Sequence, residues 1–380
     1  MALDPSAWRG RRVFITGHTG FKGGWLSLWL SSLGAHVTGY ALAPNTEPNF
    51  FTLAKLSADT GSTIDGIQND IRDYPRLLNA VQQVQPEVIF HLAAQPLVRR
   101  SYANPRETYE TNVMGTVNLL EAARHTSSVR AVVVVTSDKC YENHETHTGY
   151  VEDDPMGGHD PYSNSKGCAE LVTSAFRKSY FSSGASETFG GSIHTLIASA
   201  RAGNVIGGGD FSEDRLVPDL LRAFSQNKPA LIRHPHAVRP WQHVLEPLCG
   251  YIMLAERLLK AERSYAGAWN FGPADIDSVS VGQMADTLCS QWGQQASWLS
   301  QQDGGGGGGG GGDSNQPLHE AKLLKLNSAK ARTQLAWQAI LPPEAALVLI
   351  VDWHNAHLRG DDMRAFSLQQ ITDYTAAIAS

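Results

Sequence analysis

A chain of 380 residues with no basic excess is a poor match for nucleic acid. Its 31 Lys and Arg stand against 37 Asp and Glu, a formal net charge of −6, and phosphate backbones call for clustered positive charge. Long apolar runs are missing too. Stretches such as Ala131–Val135 fall far short of the ~20 residues that a membrane-spanning helix needs. Arg9-Gly10-Arg11-Arg12 leads into a strand pattern, not into the apolar segment of a signal peptide. Cysteine is scarce: Cys140, Cys168, Cys249 and Cys289 are scattered, with no CxxC pair. They read as reduced thiols of a cytoplasmic protein without a zinc or other metal site. No internal repeat suggests a solenoid or propeller.

What remains is ordinary globular composition, 42% hydrophobic and 18% charged, enough for one large or two intimate domains. Strand and helix patterns alternate through the first half. Strands are expected at Arg12–Thr16, His36–Tyr40, Glu87–Leu92, Val129–Thr136 and His194–Ala200. Helices are expected at Gly24–Leu33, Tyr74–Gln83, Pro105–His125 and Ser163–Ser182. This alternation predicts an α/β fold, a doubly wound, Rossmann-like parallel sheet covered by helices on both faces. From about Gly203 the pattern loosens, with helical segments at Leu216–Phe224 and Leu245–Glu262 and a short strand at Trp269–Gly272. Residues 1–200 are expected to form a dinucleotide-binding domain to which 244–275 return. Residues 201–243 and 276–380 are expected to form a smaller substrate-binding lobe over the carboxyl ends of the strands. The nine glycines Gly304–Gly312 cannot pack a core and predict a mobile surface loop.

The first strand runs into Thr16-Gly17-His18-Thr19-Gly20-Phe21-Lys22-Gly23, a G-x-x-G-x-x-G spacing directly before a helix. Gly17 suits a tight turn, Gly20 lets a pyrophosphate approach the backbone, and Gly23 lets the helix pack closely. The free N–H groups of the helix start then favour the anion. An acidic residue for the adenosine ribose is missing after strand two, where the sequence reads Gly39-Tyr40-Ala41-Leu42. No Arg stands there for a 2′-phosphate either, so the reading leans to NAD over NADP. Asp70 and Ile71 are placed to reach the adenine. Leu92, Ala93 and Ala94 offer small residues beside the dinucleotide. For each of these, loop polarity and close packing is the plain alternative.

A second constellation lies at the end of the buried run Ala131–Val135, in Thr136-Ser137-Asp138-Lys139-Cys140-Tyr141. About two dozen residues on, Tyr162 and Lys166 stand one helical turn apart on one face. An ammonium near a phenol stabilises the phenolate. That pair can take a proton from an alcohol while a nicotinamide takes the hydride. Asp138 and Lys139 beside Ser137 form a further acid/base couple that simple dehydrogenation does not need. A solvated ion pair at the strand end is the plain reading of the same two residues. His91 and His243 read as structural or nucleotide-packing residues, and Cys140 as packing.

The glycine loop, Leu92-Ala93-Ala94, Asn112 in Asn-Val-x-Gly-Thr, and Tyr162-x-x-x-Lys166 resemble the extended short-chain dehydrogenases/reductases over nearly the whole chain. Three stretches are sharper: Gly17–Leu26, Thr136–Tyr141 and Arg239–Leu248. They resemble the CDP-D-glucose 4,6-dehydratases within that family. The resemblance implies NAD as a bound cofactor, with Gly17, His18, Thr19, Gly20, Phe21, Lys22, Gly23, Asp70, Ile71, Leu92, Ala93, Ala94, Asn112, Tyr162 and Lys166 around it. It implies a nucleotide-sugar substrate, CDP-D-glucose, that loses water after oxidation at C4. Tyr162 would take the C4 hydroxyl proton, Asp138 would protonate the departing C6 hydroxyl, and Lys139 would stand where relatives carry the C5 base. It puts Gln95, Asn204, Arg215, Arg239 and His319 on the substrate, and implies a homodimer or homotetramer. Two rival readings remain at this stage. A sugar-nucleotide 4-epimerase or dehydrogenase needs no Asp138–Lys139 couple, and a nucleotide-binding module needs no catalytic set at all.

Overall fold

The computed structural model describes residues 2–57, 64–146, 148–182, 194–273, 278–293, 296–300 and 323–379. Its strands are β1 (Arg12–Thr16), β2 (His36–Ala41), β3 (Ile64–Gln68), β4 (Val88–His91), β5 (Ala131–Val135), β6 (Leu196–Ala202), β7 (Asn204–Ile206), β8 (Ala230–Ile232), β9 (Val238–His243), β10 (Ala268–Phe271), β11 (Ser278–Ser280) and β12 (Trp298–Ser300). Seven of them form one sheet in the order β10-β6-β5-β4-β1-β2-β3. Every neighbouring pair in it is parallel. The expected doubly wound sheet is therefore present.

The central strands are buried on both faces, which is why β1, β4 and β5 read as near-continuous apolar runs. Alternation along each strand assigns the two faces. Val13, Ile15, Ala131 and Val133 pack with the helices Phe21–Ser32 and Leu245–Leu259. Phe14, Val132 and Val134 pack with Tyr74–Val84 and Gly115–Arg124. Helix Phe21–Ser32 is buried almost all round, as befits a helix sandwiched between layers. The last helix, Met363–Ala379, reaches back to it: Tyr374 meets Trp29 edge-on at 5.8 Å and donates to Glu246 Oε2 at 2.7 Å.

A smaller cluster gathers Ile206, Leu220, Trp241, Met284, Leu347 and Ile350 around the helices Leu216–Ser225, Val281–Trp292 and Pro343–Arg359. Its strands form the three-stranded sheet β11-β9-β7 and the pair β12-β8. Strand order reverses between β1 and β4, and their register brings Thr16 beside His91. Such a reversal opens a crevice at the carboxyl ends of the strands, where open α/β sheets hold ligands.

The expected long helix Pro105–His125 differs in its middle. Helical turns at Pro105–Tyr109 and Gly115–Arg124 flank a wider π turn at Glu110–Met114. Turns of this kind recur at functional sites, and this one presents Asn112 to the crevice wall. The glycines Gly304–Gly312 lie outside the described residues.

Candidate active site

The turn after β1 is built by backbone. Gly17 has φ +78°, and a Cβ there would stand 2.7 Å from the Ala93 backbone nitrogen. A Cβ on Gly23 would collide with the Gly17 carbonyl. Both positions exclude every side chain larger than hydrogen. Gly20 occupies the N-cap without any side-chain cap, and the first turn of Phe21–Ser32 carries no acidic residue. The helix start therefore keeps free N–H groups and positive potential. This cradle of bare backbone fits a dinucleotide pyrophosphate. Thr16 Oγ accepts from the Leu92 and Ala93 amides, both at 3.2 Å, and lies 2.7 Å from His91 Nδ1. His91 Nε2 is 3.1 Å from Thr116 Oγ1. Because Thr116 already donates to the Asn112 carbonyl, it receives the proton of His91 Nε2. Burial pushes His91 down to about 3. It is a neutral structural link between β1, β4 and the helix, and not an acid or base.

His18 stands on Gly39, whose missing Cβ leaves room for the ring, and meets Phe51 edge-on at 5.3 Å. Burial pushes it down to about 4 and its Nδ1 has no partner among the described residues. Thr19 Oγ donates to the Leu42 carbonyl at 2.9 Å. Burial, with Arg215 and Lys166 as neighbouring cations, pushes Lys22 down to about 7, while Asp138 and Asp210 work against that shift. Lys22 therefore belongs as much to the cleft as to the glycine turn.

The second half of the site hangs on the helix Pro161–Tyr180. Asp160 caps it, accepting from the Ser163 amide at 2.9 Å, and Pro161 fills the first helical position. Both choices suit a helix start. They place Tyr162 in the first turn, where its amide has no helical acceptor and donates instead to Ser101 Oγ at 3.1 Å. Tyr162 and Lys166 then share one face. Lys166 Nζ lies 3.4 Å from the Val135 carbonyl, and burial pushes it down to about 8.

Ser137 opens a 3-10 turn at Asp138–Cys140. Its hydroxyl donates to Asp138 Oδ1 at 2.9 Å and accepts from the Lys139 amide at 3.3 Å. It also lies beside the Tyr162 phenol. Asp138 is buried, its carboxylate against Gly203. Burial pushes its pKa up, and nearby Lys139 and Arg239 offset only part of that. The couple is therefore not a solvated strand-end ion pair. Tyr162 departs from the expectation of an eased phenol. Burial pushes it up to about 12 and Asp138 adds to the rise, against the pull of Ser137 and Arg215.

Other expected residues are engaged locally. Gln95 donates to the Leu97 carbonyl at 3.1 Å and to Thr108 Oγ at 3.0 Å, and accepts from the Leu97 amide at 2.7 Å. Its amide ties down the loop after β4. Asn112 accepts from the Gln95 amide at 2.8 Å and donates to the Gln95 carbonyl at 3.1 Å and to Ser165 Oγ at 2.9 Å. It joins the β4 loop to the Tyr162 helix and leaves little for a ligand. Asp70 is gripped by Arg72, at 2.6 Å at the closest, and Ile71 packs under Gly115. Arg215 pairs with Asp210 at 3.0 Å while facing Tyr162 and Lys22. Asn204 lies in β7 beside Trp241 of β9. His319 lies outside the described residues.

Sequence reasoning named Thr136 within the strand-end stretch but gave no role to it, Glu170 or Arg201, a buried hydrogen-bonded group beside the Asp138–Cys140 turn. The available signal was spacing: Tyr162, Lys166 and Glu170 fall on one helical stripe.

A parallel sheet with a bare glycine turn at its reversal point and a Tyr–Lys pair beside a strand-end acid defines an enzyme of the dinucleotide-dependent dehydrogenase/reductase class. The chain belongs to the GDP-mannose 4,6 dehydratase family, whose model matches residues 14–342. It is 51% identical to the CDP-glucose 4,6-dehydratase of Salmonella typhimurium strain LT2 over 375 residues, 99% of each chain. A dTDP-glucose 4,6-dehydratase of Xanthomonas campestris pv. campestris is 29% identical over 349 residues, 90% of this chain and 92% of its own. Among solved structures, the Bacillus cereus UDP-glucuronic acid 4-epimerase in complex with UDP-glucuronic acid and NAD shares the fold. Its TM-score is 0.71 at 20% identity, over 91% of this chain and 99% of its own.

Proposed function

We propose that this enzyme is a hydro-lyase that converts CDP-D-glucose to CDP-4-dehydro-6-deoxy-D-glucose. The carrying observation is Asp138: a buried carboxyl, kept toward its protonated form, held by Ser137 within reach of the Tyr162–Lys166 pair. Oxidation at C4 alone needs no such acid. The cytidine nucleotide is inferred from the relative of 51% identity.

The glycine cradle of Gly17, Gly20 and Gly23, with Leu92, Ala93, Tyr162 and Lys166, would hold NAD. When bound, NAD supplies the oxidised, positively charged nicotinamide that accepts hydride from C4 and returns it to C6. Tyr162 would take the C4 hydroxyl proton as a phenolate, which the positive charge of the nicotinamide and of Lys166 would favour against the burial that keeps the phenol neutral in the cofactor-free enzyme, and Ser137 orients that hydroxyl. The C4 carbonyl acidifies C5–H, and Lys139 takes that proton. Asp138 donates its proton to the C6 hydroxyl, which departs as water. The resulting C5–C6 double bond takes hydride at C6 and a proton at C5, so the sugar loses one water and no net electrons. Arg239 and Arg215 supply positive charge for the diphosphate, a fork geometry suited to phosphate oxygens.

Incubation with CDP-, dTDP-, UDP- and GDP-glucose, followed by mass spectrometry, tests the reading. Loss of one water from CDP-glucose is expected. A product of unchanged mass would indicate an epimerase, and steady accumulation of reduced cofactor a dehydrogenase. Deuterium at C4 of the substrate should reappear at C6 of the product.

The enzyme works as a homodimer or a dimer of dimers. Met114 and Leu171 stand 50% and 59% exposed on the neighbouring helical segments Glu110–Met114 and Pro161–Tyr180, apolar surface that a second copy would cover. Light scattering at micromolar concentration should give at least twice the chain mass. No helix among the described residues is long and apolar enough to cross a membrane. All four cysteines are free, in keeping with a reducing cytoplasm.

A further inference from the structure

Beneath the catalytic turn lies an ion pair that the reaction itself does not use. Glu170 and Arg201 meet at 2.8 Å, each side chain only 4% exposed. Glu170 sits one turn beyond Lys166 on the catalytic helix, and Arg201 lies in β6. The other contacts of the pair have a pattern. Glu170 accepts from Thr136 Oγ at 2.5 Å and from Ser199 Oγ at 2.6 Å. Arg201 donates to Tyr141 Oη at 2.5 Å and to the Glu152 carbonyl at 2.9 Å, and its guanidinium covers the Tyr141 ring at 4.8 Å. Tyr141 in turn donates to Asn270 Oδ1 at 2.8 Å.

Thr136 is the residue before Ser137, and Tyr141 is the residue after the turn Asp138–Cys140. One buried pair thus grips both ends of the six residues Thr136–Tyr141 that carry Ser137, Asp138 and Lys139, and anchors them to the helix that carries Tyr162 and Lys166. Burial alone would raise the Glu170 carboxyl. Arg201 and the hydroxyl donors hold it below its ordinary value, so the pair stays charged. A buried ion pair is weak evidence of stability for its own sake, since well-packed apolar residues often serve as well. A directional grip is what charge adds.

We propose that Glu170 and Arg201 are positioning residues of the elimination step. Their ion pair clamps the Ser137–Lys139 turn at both ends and fixes Asp138 and Lys139 against C6 and C5 of the sugar. This rests on the dehydratase reading given above. Hydride transfer depends on Tyr162, Lys166 and the cofactor cradle, and so leans less on the clamp. Misplacing a catalytic group by about 1 Å costs on the order of 10²-fold.

The test uses the full-length enzyme in four forms: wild type, Thr136→Val, Tyr141→Phe and the double variant Glu170→Gln/Arg201→Met. The two single variants each cut one arm and leave the ion pair in place. The double variant removes both buried charges together, so that neither is left unpaired. All four are compared for cofactor content, melting temperature, KM and kcat on CDP-glucose, and for 4-keto-glucose in rapid-quench samples. The clamp predicts that kcat falls roughly 10- to 100-fold, with KM within about three-fold of wild type and the 4-keto sugar accumulating. In the double variant that loss persists even where the melting temperature is recovered. Turnover that follows the melting temperature would overturn the clamp, as would an equal slowing of C4 oxidation and elimination. Hydrogen exchange of the 138–141 amides in the sugar-free enzyme supplies a second readout, independent of the substrate. Faster exchange in Thr136→Val and Tyr141→Phe supports the clamp, and unchanged exchange overturns it. If wild type dehydrates no nucleotide-glucose, the functional reading fails, while the exchange result still judges the clamp.

Discussion

The two strand ends that face each other across the crevice are built from opposite materials. The turn after β1 is bare backbone, with Gly17 and Gly23 packed so closely that a methyl group has no room. The turn after β5 is side chain, a hydroxyl, a carboxyl and an amine held by a buried ion pair. A backbone site binds by shape and by N–H direction, so it fails when atoms are added. A side-chain site works through proton affinity, so it fails when charge changes at constant shape. The first suits a ligand that must stay, and the second suits groups that must give and take protons in order.

The largest expected effect comes from the charge side. Tyr162→Phe preserves the ring and removes the hydroxyl that takes the C4 proton in the proposed mechanism. Oxidation, water loss and hydride return should all fail, a drop of at least about 10³-fold with neither product nor reduced cofactor detected. The corresponding break on the shape side is Gly23→Ala. Its methyl group collides with the Gly17 carbonyl, so the purified protein should carry little dinucleotide, as measured by chromatography of the nucleotide released on denaturation. If Gly23→Ala retains its cofactor, the cradle is not where the dinucleotide sits.

A narrower effect separates the steps. Asp138→Asn keeps shape and removes the proton for the C6 hydroxyl. Water loss should slow by about 10²–10⁴-fold, with C4 oxidation intact and a 4-keto sugar trapped on the enzyme. Burial holds the Asp138 carboxyl protonated to higher pH than an exposed aspartic acid. Wild-type elimination should therefore fall as pH rises through that raised pKa, and the Asn variant should lack this limb. Lys139→Met should spare oxidation too, but slow exchange of the C5 proton with solvent. An Asp138→Asn enzyme that turns over at the wild-type rate would remove Asp138 as the acid.

The same contrast explains what could be read from sequence. Strands buried on both faces announce themselves as apolar runs, and β1, β4, β5 and β6 lay within a residue or two of expectation. The glycine turn and the Tyr162–Lys166 pair were legible because each depends on spacing alone. The edge strand β3, IDGIQ, has one buried residue in five and gave no bounded signal. The lobe strands β7, β8, β11 and β12 have three residues each, too short for period-two alternation to emerge. Gln95 and Asn112 were placed on ligands because the family resemblance implied it. Only coordinates reveal that their amides are already bonded to Leu97, Thr108 and Ser165. The depressed phenol expected of Tyr162 came from pairing it with Lys166 alone. Desolvation and Asp138, invisible to spacing, push the other way.

The smallest expected effect tests whether burial by itself marks a working acid. Glu256, in helix Leu245–Leu259, is buried like Asp138 and is pushed up to about 7 by burial, with Trp8, the Asp4 amide and Lys260 opposing the rise and the Asp4 carboxylate adding to it. Yet it faces the amino-terminal segment, accepting from Trp8 Nε1 at 2.8 Å and from the Asp4 amide at 3.1 Å. A carboxyl whose folded pKa is raised binds its proton more tightly in the native state than in the unfolded one. Unfolding free energy therefore falls as pH rises from 4.5 toward about 7, and the loss is complete above that. Glu256→Gln keeps an acceptor for Trp8 and the Asp4 amide and cannot ionise. Its stability relative to wild type should rise across that window, by up to about 3 kcal/mol at pH 8, as followed by denaturant unfolding at several pH values. Turnover at a fixed pH should stay within two-fold of wild type. If kcat falls instead, Glu256 is coupled to the chemistry and the division between the two strand ends is too narrow. If stability and its pH slope are both unchanged, burial at Glu256 is offset by contacts that hold the ionised form equally well.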